Sequence, residues 1–171
     1  KNFDIKKEHS FRVAGLSKML ALNLNLEIEE IKIAYFIGLF HDIGRFRQLV
    51  EFNTFNDAVS VDHAEYSVEI IKEEILGKVG AVKEDLVLTA IKNHNKFKLP
   101  ENLSQQELQF SKLIRDADTL DILKVLTEYY SNRNSVPNHT LTWELPKGVS
   151  VSKNVVKEIM VGKLVSKANV V

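Results

Sequence analysis

The chain contains no cysteine. That excludes disulfides, thiolate metal sites and a cysteine nucleophile, and it fits a cytoplasmic protein. Proline and glycine are scarce, 3 and 7 among 171 residues. Long segments therefore lack breakers, and helices are expected to dominate. Charge of one sign is also missing: 23 Lys and Arg balance 23 Asp and Glu. Bulk electrostatics thus carry no signal for a nucleic acid or a membrane surface. No apolar run approaches the roughly 18 residues of a membrane span, and no signal peptide, repeat or low-complexity tract is visible. What remains is an ordinary globular balance, 44% hydrophobic and 27% charged, at a length suited to one domain. Residues 1–171 read as a single domain, with a core over 1–130 and an extension over 131–171. The start at Lys1 and the unpunctuated end at Val171 suggest a piece of a longer chain.

Helical periodicity recurs along the sequence. Ile5, His9, Val13, Leu16 and Leu20 form one stripe, and Asp4 is placed to cap a first helix running to about Leu24. After a break at Asn23–Leu26, a second helix is expected from Glu27 to Asp42, with acidic residues in its first turn, where the dipole favours them. Its stripe holds Ile31, Ala34, Gly38 and His41, and Gly44 is expected to end or bend it. Phe46–Ser60 reads as a loop with a short helical piece, with Phe52, Phe55 and Val59 folding back over the domain. Asp62 and Glu65 have capping-box spacing and open a helix to about Leu76, with His63, Tyr66 and Ile70 on one face. Lys83–His94 is a further helix that aligns Val87, Ala90, Ile91 and His94. Ser104 and Glu107 form a second capping box, opening a long helix to about Tyr130 on which Ile114, Asp118, Ile122 and Val125 lie close together. Thr140–Leu145 alternates, which predicts a short strand or hairpin, and Ser152 is placed to cap a last helix of about ten residues. The expected fold class is all-α, a bundle of about six to seven helices, with a short β-hairpin near residues 140–151.

Five of these helices place a His or Asp on an otherwise apolar stripe: His9, the pair His41-Asp42, His63, His94 and Asp118. A buried imidazole loses its water hydrogen bonds, and a buried carboxylate fares worse unless it is paired or bound to a cation. Several such residues satisfy one another if they converge on a metal, as in cofactor-binding bundles. The set is all nitrogen and oxygen, which suits iron, manganese, nickel, cobalt or zinc, and suits a structural zinc less well. Neighbours on a helix point about 100° apart, yet near a helix end His41 and Asp42 can both reach one cation, or the carboxylate can bridge two. His139, in the polar stretch Pro137-Asn138-His139-Thr140, has no such stripe and reads as exposed and without function.

The ordered pattern resembles the HD-domain superfamily of metal-dependent phosphohydrolases. Its signature is a His, a His-Asp pair and a distant Asp on an all-helical fold. The matching stretches are His9-Ser10-Phe11-Arg12-Val13-Ala14, His41-Asp42-Ile43-Gly44-Arg45, and Arg115-Asp116-Ala117-Asp118-Thr119-Leu120-Asp121. The resemblance covers residues 1–130, and Val155–Val165 resembles the tail of uncharacterised bacterial members. His63 and His94 go beyond the minimal signature. Members with two such extra histidines hold two metals. This implies His9, His41, Asp42 and Asp118 on one ion and Asp42, His63 and His94 on the other, with Asp42 as the bridge. The cyclic-dinucleotide phosphodiesterase branch has this layout followed by Gly-Tyr-Pro, whereas here His94 is followed by Asn95-Lys96-Phe97-Lys98-Leu99-Pro100. A small oxygenase branch with two irons shares the layout.

The resemblance thus implies hydrolysis of a phosphomonoester, nucleotide or phosphodiester by a metal-activated water, with two divalent transition-metal ions as cofactors. A dinuclear-iron oxygenase and a non-catalytic nucleotide- or metal-sensing domain are the alternatives. Asp42, Arg45 and Lys96 are the expected catalytic residues. Arg45 follows the pair and suits bidentate phosphate binding. Lys96 would act as a point charge, and Arg12, one turn after His9, faces near the same site. Arg115 and Asp121 are expected to hold Asp118 or Asp42 from behind. The expected partner is a small phosphorylated substrate, with no membrane or nucleic-acid partner, and a homodimer is compatible with the sequence.

Overall fold

The computed structural model describes residues 2–76, 83–132, 152–163 and 165. The chain divides into two compact units, residues 1–131 and 132–171. The described residues of the first form six helices: α1 (Asn2–Asn23), α2 (Ile28–Phe40), α3 (Ile43–Phe52), α4 (His63–Glu74), α5 (Glu84–Asn93) and α6 (Gln105–Ser131). A 3₁₀ turn at Asp57–Val59 lies between α3 and α4. In the second unit, the described residues form one helix, α7 (Lys153–Met160), with Ser152 at its N-cap position. The described residues contain no strand, in keeping with an all-α fold, and no described helix is long and apolar enough to cross a membrane. The hairpin expected near residues 140–151, and His139, lie outside the described residues.

The first unit is organised by close helix crossings. α1 packs most extensively on α2, α3 on α4, and α6 lies against α1, α5 and α2. The buried face of α1 is His9, Ser10, Val13, Ala14, Ser17 and Ala21. Its small residues receive Gly38 of α2, where a Cβ would stand 2.6 Å from Ser17 Oγ and 2.8 Å from Ala14 Cα. Any side chain at Gly38 would push the two helices apart, and with them His9 and His41. In the core, Val13, Ile37, Ile71, Val87, Ile91, Phe110 and Ile114 are each at most 1% exposed. Burial of each such large side chain stabilises the fold by about 1.5–3 kcal/mol.

The cap expectations hold in part. Asp62 accepts from the Ala64 and Glu65 amides at 2.9 and 3.5 Å at the start of α4. The Ser104–Glu107 box is reciprocal, with Ser104 N donating to Glu107 Oε2 (2.8 Å) and Glu107 N to Ser104 Oγ (3.3 Å). Asp4 lies within the first turn of α1, which begins at Asn2, so it does not cap it. On α4 the buried face is His63, Ala64, Ser67, Val68 and Ile71, and Tyr66 turns to Glu51.

Other expectations need correction. Gly44 does not end a helix; it lies in the first turn of α3. Its missing side chain serves close approach, since a Cβ would meet the His63 carbonyl oxygen at 2.5 Å and Ser67 N at 2.6 Å. Its amide also donates to Ser67 Oγ at 2.9 Å. The stretch read as loop from Phe46 is helical to Phe52 and stops at Asn53, which takes the left-handed conformation (φ 51°). Phe52 and Val59 do not fold back, being 43% and 71% exposed, whereas Phe55 is half-buried. On α6 the buried line is Phe110, Ile114, Ala117 and Asp121, so Ile122 faces outward.

Candidate metal centre

Helix ends set the site's geometry. His41 is the C-cap of α2 and Asp42 the N-cap of α3, with backbone angles of φ −54°, ψ −36° and φ −106°, ψ 15°. The pair is therefore a joint between two helices, and the ~100° offset of helical neighbours does not bind it. Both side chains enter the interior, His41 at 0% and Asp42 at 3% exposure. His63 opens α4 and His94 closes α5. His9 and Asp118 come from within α1 and α6.

The six side chains converge around the Asp42 carboxylate. Its Oδ2 lies 3.7 Å from His9 Nε2 and 3.8 Å from His41 Nε2. Its Oδ1 lies 3.4 Å from His63 Nε2 and 3.6 Å from His94 Nε2. Asp118 Oδ1 closes the first side, 3.1 Å from His9 Nε2 and 3.8 Å from His41 Nε2. Among the described residues, His9, His41 and Asp118 form one group able to hold an ion, and His41, Asp42 and His94 another. A third group, Asp57, Asp62 and His63, has its carboxylates engaged elsewhere.

Each of these four imidazoles is held from behind through its Nδ1. His9 Nδ1 bonds Asp121 Oδ2 at 2.7 Å, and His63 Nδ1 bonds Asp57 Oδ2 at 2.5 Å. His41 Nδ1 bonds the Gly38 carbonyl at 2.8 Å, and His94 Nδ1 the Ile91 carbonyl at 2.7 Å. A carbonyl or ionised carboxylate only accepts, so each Nδ1 carries the proton and each Nε2 turns a lone pair inward. His9 Nε2 and His41 Nε2 are buried without a hydrogen bond. His63 Nε2 and His94 Nε2 stand 3.0 Å apart, two lone pairs in contact unless a proton or cation lies between them. Orphaned inward nitrogens beside the buried Asp42 and half-buried Asp118 carboxylates are what a divalent cation satisfies, so the residues fit a metal.

The electrostatics agree. Burial pushes the Asp42 carboxyl up, but the Lys6 ammonium and the surrounding His41, His94 and His63 hold it well below the usual carboxylate range. Burial likewise raises Asp118, and its contacts with His41 and His9 outweigh that and lower it. Both groups are thus anions ready for a cation. Asp121 is driven up by burial and brought down to about 2 by His9 and Arg12.

The remaining expected residues have other partners. Arg12 donates to both Asp121 oxygens, Nε at 2.6 Å and Nη2 at 3.0 Å. Asp121 therefore holds His9, and does not hold Asp118 or Asp42. Arg115 is not drawn to either ligand; it donates to the Phe97 carbonyl at 3.5 Å. Lys96 bonds Asp62 at the α4 N-cap. Arg45 is anchored through Nη1 by Asp57 Oδ1 and the Phe55 carbonyl, each at 2.6 Å, and by Gln48 Oε1 at 2.9 Å. Its Nε is buried without a hydrogen bond, 3.7 Å from Asp42 Oδ1.

Two residues of the site do not stand out in the sequence. Asp57 opens a three-residue 3₁₀ turn, too short for any periodicity to say which way it points. Lys6 Nζ reaches Asp42 Oδ2 at 2.6 Å. A signal for it exists, since Lys6 lies one turn before His9 on the same helix face.

A family model described as the HD domain matches residues 7–123. The chain belongs to the HD-domain family. The match spans all six converging residues, from His9 to Asp118, and places the chain in a superfamily of metal-dependent phosphohydrolases. No curated protein matches this HD-domain chain, and no solved structure does.

Proposed function

We propose that the chain hydrolyses a phosphate ester of a small molecule (a phosphomonoester, a nucleotide or a phosphodiester) at two divalent transition-metal ions bridged by Asp42. The observation that carries this reading is the division of Asp42 between two pairs of inward imidazoles, His9 and His41 at Oδ2, His63 and His94 at Oδ1. His9, His41, Asp118 and Asp42 would hold one ion; His63, His94 and Asp42 would hold the other. Iron, manganese, nickel, cobalt and zinc all suit this nitrogen–oxygen set. When bound, the ions supply Lewis acidity, acidifying water and neutralising phosphoryl oxygens.

The chain's own residues do the rest. The four Nδ1 anchors fix the imidazoles so that only unprotonated Nε2 atoms face the reacting centre. Arg12 positions His9 through Asp121. Arg45, fixed by Asp57, keeps an unpaired Nε beside Asp42 that can donate to a phosphoryl oxygen. The decisive experiment loads the protein with manganese, counts ions by elemental analysis and assays a broad phosphoester panel without oxygen. About two ions per chain and oxygen-independent turnover are expected. Saturation at one ion removes the bridge. Absence of turnover with manganese, nickel and iron removes the hydrolase, and activity that requires both iron and oxygen identifies an oxygenase.

A further inference from the structure

Arg12, Arg45 and Lys96 share one property: each is committed to a protein acceptor, Asp121, Asp57 and Asp62 respectively. Lys6 differs. Its ammonium touches the ligand set itself, 2.6 Å from Asp42 Oδ2. Among the described residues, that is its one hydrogen bond, and an ammonium has three donors. The Lys6 side chain is 22% exposed against 4% for Asp42, so it stands at the margin between the buried ligands and solvent. The half-buried Phe55 ring lies 5.9 Å from Nζ and limits its hydration on one side.

We infer that Lys6 is a substrate-binding residue of this site, its ammonium seating a non-bridging oxygen of the phosphoryl group beside Asp42. Asp42 would hold a cation and a phosphoryl group would bind beside it; Lys6 Nζ, 2.6 Å from Asp42 Oδ2, would then be next to a phosphoryl oxygen. A rotatable point charge suits a tetrahedral anion that presents its oxygens in several directions. This inference rests on the reading of Asp42 as a metal ligand.

The test measures binding of manganese, and then of inorganic phosphate to the manganese-loaded protein, by calorimetry. The unsubstituted chain is compared with Lys6→Met, Lys6→Arg and Lys7→Met, the last removing an equal charge from an exposed position on the same helix. Lys6→Met is expected to take up manganese no more weakly than the parent and to bind phosphate about tenfold more weakly or worse. Lys6→Arg recovers part of the loss, and Lys7→Met matches the parent. Three results overturn the inference: undiminished phosphate binding by Lys6→Met, manganese lost in step with phosphate, or no phosphate binding by the loaded parent. Turnover of phosphoesters judges the hydrolase reading separately. A parent that binds phosphate through Lys6 and turns over none keeps this inference and ends that one.

Discussion

The two ends of the Asp42 carboxylate face unlike half-sites. At Oδ2, α1, α2 and α6 contribute His9, His41 and a second carboxylate, Asp118. At Oδ1, α4 and α5 contribute His63 and His94. The support behind the rings is nonetheless the same in kind. In each half, one imidazole leans on a carboxylate and the other on a backbone carbonyl. What differs is charge. Burial opposes a proton on His9, yet Asp118 and Asp121 outweigh it and raise its pKa. At His63 burial prevails over the Asp57 contact, with Arg45 and His94 adding to it, and the pKa falls. Equal imidazole chemistry thus sits in unequal fields, and the half with two carboxylates should hold its ion more firmly.

The comparison breaks most completely at the residue both halves share. Under the proposed two-ion reading, Asp42→Asn is expected to cost both ions a shared ligand and to lower turnover on the order of 10³-fold. Elemental analysis and steady-state kinetics read this out, and a variant that keeps two ions would show that Asp42 does not bridge. Removing the supports separates the halves. Asp121→Asn should weaken one ion and Asp57→Asn the other, each by about 10–100-fold in affinity. Competition with a fluorescent chelator measures both steps, and equal effects on the two steps from either variant would contradict the division. The smallest effect is a difference in titration. In metal-free protein, NMR of the imidazoles should place His9 above the ordinary 6.5 and His63 below it. His9 then adds stability that is complete below pH 6.5 and is lost as pH rises through its raised value. His63 does the reverse, with stability falling as pH drops from 6.5 toward its lowered value. Coincident titration of the two rings would show that the fields are alike.

Much of this site is legible in the amino-acid sequence. A His or Asp on an apolar helical stripe is conspicuous because burial without a partner is costly, and His9, His41, Asp42, His63, His94 and Asp118 all stand out on that ground. Helix placement is legible for the same reason, from stripes such as Val87, Ala90, Ile91 and His94, all buried in the fold. Legibility fails at junctions. Gly44 looks like a breaker, because a glycine that permits close approach and one that ends a helix are the same letter. It also fails for charges: Arg12 and Lys96 look as good as Arg45 for binding phosphate until their carboxylate partners are known.

The sequence alone therefore determined the helical class, the family and the residue types of the candidate ligand set, because each depends on residue type and local spacing. The tertiary structure decided which Asp42 oxygen faces which imidazoles, that Asp121 and Asp57 stand behind His9 and His63, and that Lys6 reaches the Asp42 carboxylate. Those pairings join residues 36 positions apart, as in Lys6–Asp42, or 112 apart, as in His9–Asp121. They depend on how closely α1 crosses α2 at Gly38 and α3 crosses α4 at Gly44, and no local periodicity carries that distance.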